Sequence, residues 1–119
     1  MPDPTIERLM RANLLEVFGE RDPERRLAAI RRTYTDDVVF ADPEGSVQGH
    51  EALDAKAQAI LDGAPGFAFQ PDGDLYQVES MGYQGWTLGP AGEAAVVRGV
   101  DMGFVRDGLL EKVYTVVLR

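Results

Sequence analysis

The apolar positions in the first half of the chain recur with the period of an α-helix. One stripe begins after Asp3, a residue that can cap a helix and is followed by a proline suited to a first turn. A second helix begins after Asp22 with the same signal, and a third is predicted over residues 49–61. The first stripe contains a single polar side chain, Asn13, among Ile6, Leu9, Met10, Leu14, Val17 and Phe18.

The second predicted helix has an apolar face and a basic face. Tyr34 closes its apolar face, at helical spacing from Ile30. Its other face carries Arg25, Arg26, Arg31 and Arg32, and the amphipathic pattern predicts that these arginines are exposed to solvent.

The second half of the chain has the short apolar runs and turn residues of β-structure. Helices and strands are segregated along the chain, which indicates an α+β fold in one domain, residues 1–119. We expect three helices packed on a strongly curved, mostly antiparallel sheet. The last strand is apolar on both faces, so its outer face predicts a homodimer contact. The strands are predicted over residues 38–41, 67–71, 75–81, 84–88, 94–105 and 109–118.

The composition narrows the chemistry available to this domain. Twenty acidic and twelve basic residues give a formal net charge of -8, which disfavours a nucleic-acid partner. The absence of cysteine and the single histidine exclude a thiolate zinc site, a cysteine nucleophile and a multi-histidine metal site. We therefore expect neither a metal nor a cofactor. No membrane span and no secretory signal is evident, so we expect a cytoplasmic protein without a membrane partner.

Asp101 is the most informative acidic residue because it lies inside a predicted strand. Aspartate disfavours strands, and here Gly99 and Gly103 flank it on its own face. This arrangement predicts room beside a carboxyl group, and a carboxyl held among apolar groups has a raised pKa. The alternative interpretation is an aspartate on a solvated face or in a structural hydrogen bond.

Asp42 is the second candidate, since it ends a short β-run and precedes Pro43. It would serve as a base at the mouth of a pocket, or merely as a turn residue. Trp86 and Tyr83 would shape that pocket, although strand aromatics are commonly core residues. Asn13 has two possible roles: it contributes to a contact between helices, or it directs its amide into a cavity.

The chain resembles the nuclear transport factor 2-like superfamily, which includes ketosteroid isomerases, SnoaL-like polyketide cyclases and scytalone dehydratases. The resemblance covers nearly the whole chain and includes residues 34–45, 49–53, 99–101 and 108–114, and it is strongest to bacterial members without an assigned activity. It implies a cystatin-like, cone-shaped α+β barrel with an internal pocket, in a bacterial cytoplasmic protein.

The resemblance also implies roles for residues. The turn after Asp42 is similar to the one that holds the general base of ketosteroid isomerases, and Asp101 resembles their protonated acid. Their first-helix tyrosine is missing, because no tyrosine lies between residues 3 and 18. The predicted catalytic residues are thus Asp42 and Asp101, and the predicted ligand-binding residues are Asn13, Tyr34, Tyr83, Trp86 and Val113.

Three functions follow from this interpretation. The first is a cofactor-independent isomerase, lyase or cyclase that acts on a small apolar carbonyl compound, with Asp42 as the base and Asp101 as the hydrogen-bonding acid. The second is a protein that binds a small hydrophobic ligand without chemistry. The third is a dimerisation module whose interior is filled by side chains.

Overall fold

The computed structural model describes residues 2–118, and its first helix follows the predicted stripe. Helix α1 spans Pro4–Ala12, and the carboxylate of Asp3 caps it by accepting the N–H of Thr5 at 2.7 Å. The chain then continues without a break as a wider π-helical turn over Asn13–Phe18. Every member of the predicted stripe is buried, so α1 and its π-helical extension pack on the sheet as the periodicity indicated.

The second and third helices complete the helical layer. Helix α2 spans Pro23–Thr33 and α3 spans His50–Asp62. Two predictions for α2 were wrong. Tyr34 does not belong to the helix but begins the first strand. Arg26 is buried rather than exposed, because its guanidinium reaches Asp54 of α3 at 2.7 Å.

Six strands form one curved mixed sheet in the order β2-β1-β6-β5-β4-β3. Neighbouring strands are antiparallel except β1 and β6, which run parallel. The expected α+β fold, with three helices on a strongly curved and mostly antiparallel sheet, is confirmed. The sheet is open rather than a closed barrel, because β2 and β3 form two separate edges. The strands are β1 Tyr34–Asp42, β2 Gly45–Gln48, β3 Phe67–Val78, β4 Met81–Pro90, β5 Val97–Arg106 and β6 Leu109–Leu118.

The strand bounds differ from the prediction where a bulge or a tight turn replaces the expected break. The stretch at residues 72–74 is a register shift inside β3 rather than a turn. The chain reverses instead between Val78 and Met81, where Glu79 adopts a positive φ of 50°. The short strand β2 was not predicted, and β5 begins at Val97, three residues later than expected.

The helices cover the inner face of the sheet, and two glycines allow them to approach closely. A Cβ atom added to Gly103 would lie 2.5 Å from the sulfur of Met10, and one on Gly82 would lie 2.8 Å from Ile6. Since these glycines face α1, the helix lies directly against the strands. Within residues 2–118, no helix is both long and apolar enough to cross a membrane.

Candidate active site

Asp101 lies on the inner face of β5 and is 6% exposed. Its Oδ1 atom accepts hydrogen bonds from the indole Nε1 of Trp86 at 2.9 Å and from the hydroxyl of Thr115 at 2.7 Å. Its Oδ2 atom accepts one from the Nδ2 atom of Asn13 at 2.9 Å. All three donors are neutral, so the carboxylate has hydrogen bonds but no counter-ion among them.

Burial raises the pKa of Asp101 from 3.8 to about 6. Desolvation is the dominant cause, and the hydrogen bonds from Thr115, Trp86 and Asn13 oppose it only in part. A carboxyl group with this pKa exchanges its proton near neutral pH, which is the property that general acid–base catalysis requires.

A bulge in the β5–β6 hairpin brings Thr115 opposite Asp101. The strands pair Val105 with Leu110 but Phe104 with Lys112, so Glu111 is an extra residue on β6. If Glu111 instead paired regularly with Phe104, Asp101 would lie opposite Tyr114 rather than Thr115. The local irregularity therefore determines which β6 side chain reaches the carboxylate.

Gly99 allows Trp86 to reach the same carboxylate. These two residues face each other across β4 and β5, and an added Cβ on Gly99 would lie 2.5 Å from Cε2 of the indole. The ring therefore occupies the space that a side chain at position 99 would take. The space that the two glycines leave beside Asp101 is occupied by side chains, Trp86 next to Gly99 and Met10 next to Gly103.

Asn13 connects Asp101 to a buried tyrosine. The hydroxyl of Tyr34 donates to Oδ1 of Asn13 at 2.6 Å, while the amide nitrogen faces Asp101. Burial raises the pKa of Tyr34 well above its ordinary value of 10, and the charge of Asp101 adds to this effect. Asn13 is the first residue of the π-helical turn, a feature that is frequent at functional sites.

A cavity of about 310 Å³ adjoins this network. Asp101 and Thr115 line it together with Asp42 and Glu44, so the two predicted carboxylates share one cavity. Asp101 is buried whereas the Glu44 side chain is 80% exposed, so the cavity runs from the interior to the surface. The rest of its lining is apolar, from Leu14, Phe18, Phe40, Pro43, Ile60, Phe69, Trp86, Leu88, Val97 and Val117.

Asp42 also lines this cavity, and its side chain, which is 9% exposed, is held by charged and backbone donors. Its Oδ2 atom pairs with the ammonium of Lys56 at 2.9 Å, and its Oδ1 atom accepts the N–H of Glu44 at 2.9 Å. Lys56 also pairs with the carboxylate of Glu44. Burial alone would lower the pKa of Lys56, but the bonds to Glu44 and Asp42 outweigh it and raise that pKa.

The remaining predicted ligand-binding residues divide into two groups. Asn13, Tyr34 and Trp86 belong to the Asp101 network, and Trp86 also lines the cavity. Tyr83 and Val113 do not line the cavity.

These two residues lie away from the cavity for different physical reasons. Tyr83 is three residues from Trp86, an odd spacing in a strand, so it projects from the opposite face and packs near Tyr76 with ring centroids 6.2 Å apart. Val113 faces inward but is fully buried in the core.

The sequence did not identify Thr115 as a site residue. The available signal was its position between Val113 and Val117, where a hydroxyl interrupts the inward-facing apolar positions of β6. Among residues 2–118, no cluster of His, Asp or Glu could hold a metal ion.

These features define an α+β domain with a curved sheet and a buried carboxylate beside an inner cavity. The sequence profile of the SnoaL-like domain matches residues 12–113, so the chain belongs to the SnoaL-like family. No protein with a curated description matches the chain significantly.

Solved structures share the fold at low sequence identity. A proposed SnoaL-like isomerase from Agrobacterium tumefaciens has a TM-score of 0.90 at 19% identity, covering 98% of this chain and 100% of its own. A proposed ketosteroid isomerase from Kribbella flavida gives 0.73 at 19% identity, covering 97% and 78%. A cystatin-like protein of unknown function from Methylobium petroleophilum gives 0.76 at 14% identity, covering 100% and 79%. At these identities the likeness establishes the fold alone.

Proposed function

We propose that the chain binds a small, mostly apolar carbonyl compound in the inner cavity and that Asp101 moves a proton on it. The main support is a buried carboxylate whose donors are all neutral, whose pKa is about 6, and which borders a cavity with an otherwise largely apolar lining. The cavity volume of about 310 Å³ lies at the small end of ligand pockets, which suits a compound of one or two rings.

The geometry favours Asp101 rather than Asp42 as the base. A pKa of about 6 leaves roughly 90% of Asp101 as carboxylate at pH 7, ready to accept a proton. Asp42 would first have to release the Lys56 ammonium. This reverses the roles that the ketosteroid isomerase resemblance implied.

The proposed reaction needs a single proton carrier. Asp101 takes a proton from the carbon next to the carbonyl, and the electron pair of that C–H bond forms an enolate. The protonated Asp101 then returns the proton to another carbon of the conjugated system, and the double bond shifts. A β,γ-unsaturated ketone is the best substrate class, and a 1,3-dicarbonyl compound is a simpler exchange probe, because a C–H bond between two π systems is more acidic than one beside a single carbonyl.

Deuterium exchange tests this proposal without knowledge of the natural substrate. A panel of cyclic β,γ-unsaturated ketones and aryl 1,3-diketones is incubated in D₂O, and loss of the signal of the C–H between the two π systems is followed by proton NMR. We expect Asp101→Asn to lower the exchange rate by about 100-fold or more, the scale of general-base catalysis. The matched variant Asp42→Asn should change it only a few-fold. Equal rates for the wild type and Asp101→Asn across the panel would overturn the proposal.

A binding protein without chemistry is the second candidate. Its support is that three donors from the protein already satisfy Asp101, as expected for a carboxylate with a structural role. Native mass spectrometry of the purified protein would identify a bound ligand, and incubation would test whether that ligand is converted. An unchanged ligand supports this candidate, and a product excludes it.

We also propose that the outer face of the sheet binds a second copy of the chain. Tyr114, Val116 and Leu118 of β6 are 41–44% exposed on that face, and such contiguous apolar surface is typical of interfaces. The variant Val116→Lys should raise the dimer dissociation constant at least about tenfold in analytical ultracentrifugation, because it introduces an unpaired charge. The control Ala55→Lys, at an exposed position of α3, should not. A monomeric wild type at high concentration would contradict the dimer.

A further inference from the structure

Asn13 bridges Tyr34 and Asp101, and its amide can in principle face either way. We propose that Tyr34 is a positioning residue that acts through Asn13, because its hydroxyl holds the amide with the N–H toward Asp101. This inference rests on the proposed role of Asp101 in proton transfer. Tyr34 itself does not line the cavity, so it would affect the reaction only through this bridge.

The hydrogen bonding of the Tyr34 hydroxyl permits only one orientation of the Asn13 amide. In the observed arrangement, the hydroxyl donates to Oδ1 of Asn13 at 2.6 Å and Nδ2 donates to Asp101 at 2.9 Å. If the amide turned over, its N–H groups would face the tyrosine and the hydroxyl proton would need another acceptor. Among residues 2–118, Asn13 is the only hydrogen-bond partner of that hydroxyl.

Bulk water does not reach this position. Tyr34 is 1% exposed and Asn13 is 0% exposed, so an unpaired hydroxyl would carry its full desolvation cost. Tyr34 also remains a donor at all ordinary pH values, since burial holds its pKa well above 10. The tyrosine therefore excludes the reversed amide.

The fixed amide has a consequence for the proton on Asp101. If Asn13 could turn its oxygen toward a protonated Asp101, the acid would donate that proton within the protein. With the amide held as a donor, a proton on Oδ2 is directed to the cavity and its ligand. The other titratable groups bordering Asp101 are the Tyr34 hydroxyl and, across the cavity, Asp42 and Glu44, which are both paired with Lys56.

The variant Tyr34→Phe tests this inference, with the carboxyl ¹³C resonance of Asp101 as the readout. Removing the hydroxyl frees the amide to accept from the protonated acid, so we expect the pKa of Asp101 to rise by about one unit, the scale of one net hydrogen bond. At pH 6 the carboxylate fraction then falls from about one half to about one tenth. We therefore expect kcat for deuterium exchange to fall about fivefold at pH 6 with KM unchanged.

Two further variants make the test specific. Tyr83→Phe removes a hydroxyl from the outer face and should leave the pKa of Asp101 unchanged. In an Asn13→Leu background, where the bridge is absent, Tyr34→Phe should no longer shift the pKa. An unchanged pKa in Tyr34→Phe, or a shift that persists in the Asn13→Leu background, would overturn the inference.

The ¹³C titration is independent of catalysis. If no compound of the panel exchanges, the proposed function fails, while the titration still decides whether Tyr34 acts through Asn13. If Tyr34→Phe does not fold, Asn13→Leu alone is titrated. Removing the amide donor should then raise the pKa of Asp101, and an unchanged value would contradict the bridge.

Discussion

Replacing Asp101 with asparagine should make the protein more stable at neutral and alkaline pH, although it removes the proposed catalytic group. The folded protein raises the pKa of this carboxyl from 3.8 to about 6, so the folded state binds the proton more tightly than the unfolded state. The stability contributed by the protonated acid is therefore fully present below about pH 3.8 and is lost as the pH rises through 6. Asparagine is neutral throughout and does not lose this contribution.

The magnitude follows from the pKa difference and the hydrogen bonds. A difference of about 2 pKa units corresponds to about 3 kcal/mol over the full range. The asparagine carbonyl can still accept from Trp86 and Thr115, but its amide would oppose the Asn13 amide, at a cost of about 1 kcal/mol. We therefore expect Asp101→Asn to be more stable than the wild type by about 2 kcal/mol at pH 8. At pH 4.5 this advantage should be almost gone, because about 2 kcal/mol of the pH-dependent difference lies within this range.

Urea denaturation between pH 4.5 and pH 8, followed by far-ultraviolet circular dichroism, measures the two free energies of unfolding. The comparison between variant and wild type cancels the titration of the other acidic residues. The control Asp74→Asn removes a charge at an exposed position of β3, and its difference from the wild type should stay small across this range. A difference between Asp101→Asn and the wild type that is independent of pH would refute the reasoning, as would a more stable wild type at pH 8.

Two further predictions concern the packing around the site. Arg26→Met should lower the free energy of unfolding by about 3 kcal/mol in urea titrations, because it leaves Asp54 without its buried partner. The control Arg31→Met, at an exposed position of the same helix, should lower it by less than about 1 kcal/mol. Equal losses in the two variants would contradict a stabilising ion pair between Arg26 and Asp54. Gly99→Ala should displace Trp86 and lower the free energy of unfolding by about 1–3 kcal/mol. Since Trp86 is the single tryptophan of the chain, its fluorescence emission spectrum should change as well. An unchanged spectrum would refute the close contact between Gly99 and Trp86.

Much of the fold could be predicted from the sequence because it depends on local signals. The caps at Asp3 and Asp22 and the apolar stripe of the first helix indicated where the helices begin and which face they bury. The burial of the Arg26 side chain could not be predicted from such local signals. The position of Arg26 on the polar face of the helix predicted a solvent-exposed side chain. Its burial is favourable only because α3 packs against α2 and brings the carboxylate of Asp54 to the guanidinium.

The site was predictable in part for a related reason. Asp101 was identifiable because an aspartate flanked by glycines is unusual in an apolar strand. Thr115 was not, because the register of β5 and β6 depends on the bulge at Glu111, and a shift of one residue reverses which side chains face inward. The ion pair between Asp42 and Lys56 could not be predicted either, since it joins β1 to α3, two elements that are separate in sequence.

The pH dependence of deuterium exchange tests the central claim most directly, namely that the buried Asp101 carboxylate is the proton-transferring group. The exchange rate of the most reactive compound of the panel is measured from pH 4.5 to pH 8, alongside the ¹³C titration of Asp101. The account predicts that the rate rises with a midpoint near pH 6 and that this midpoint coincides with the titration of Asp101. In Asp101→Asn, the rate should be lower by about 100-fold or more and should show no such midpoint. An exchange rate in Asp101→Asn that equals the wild-type rate, or a midpoint that does not coincide with the Asp101 titration, would contradict it.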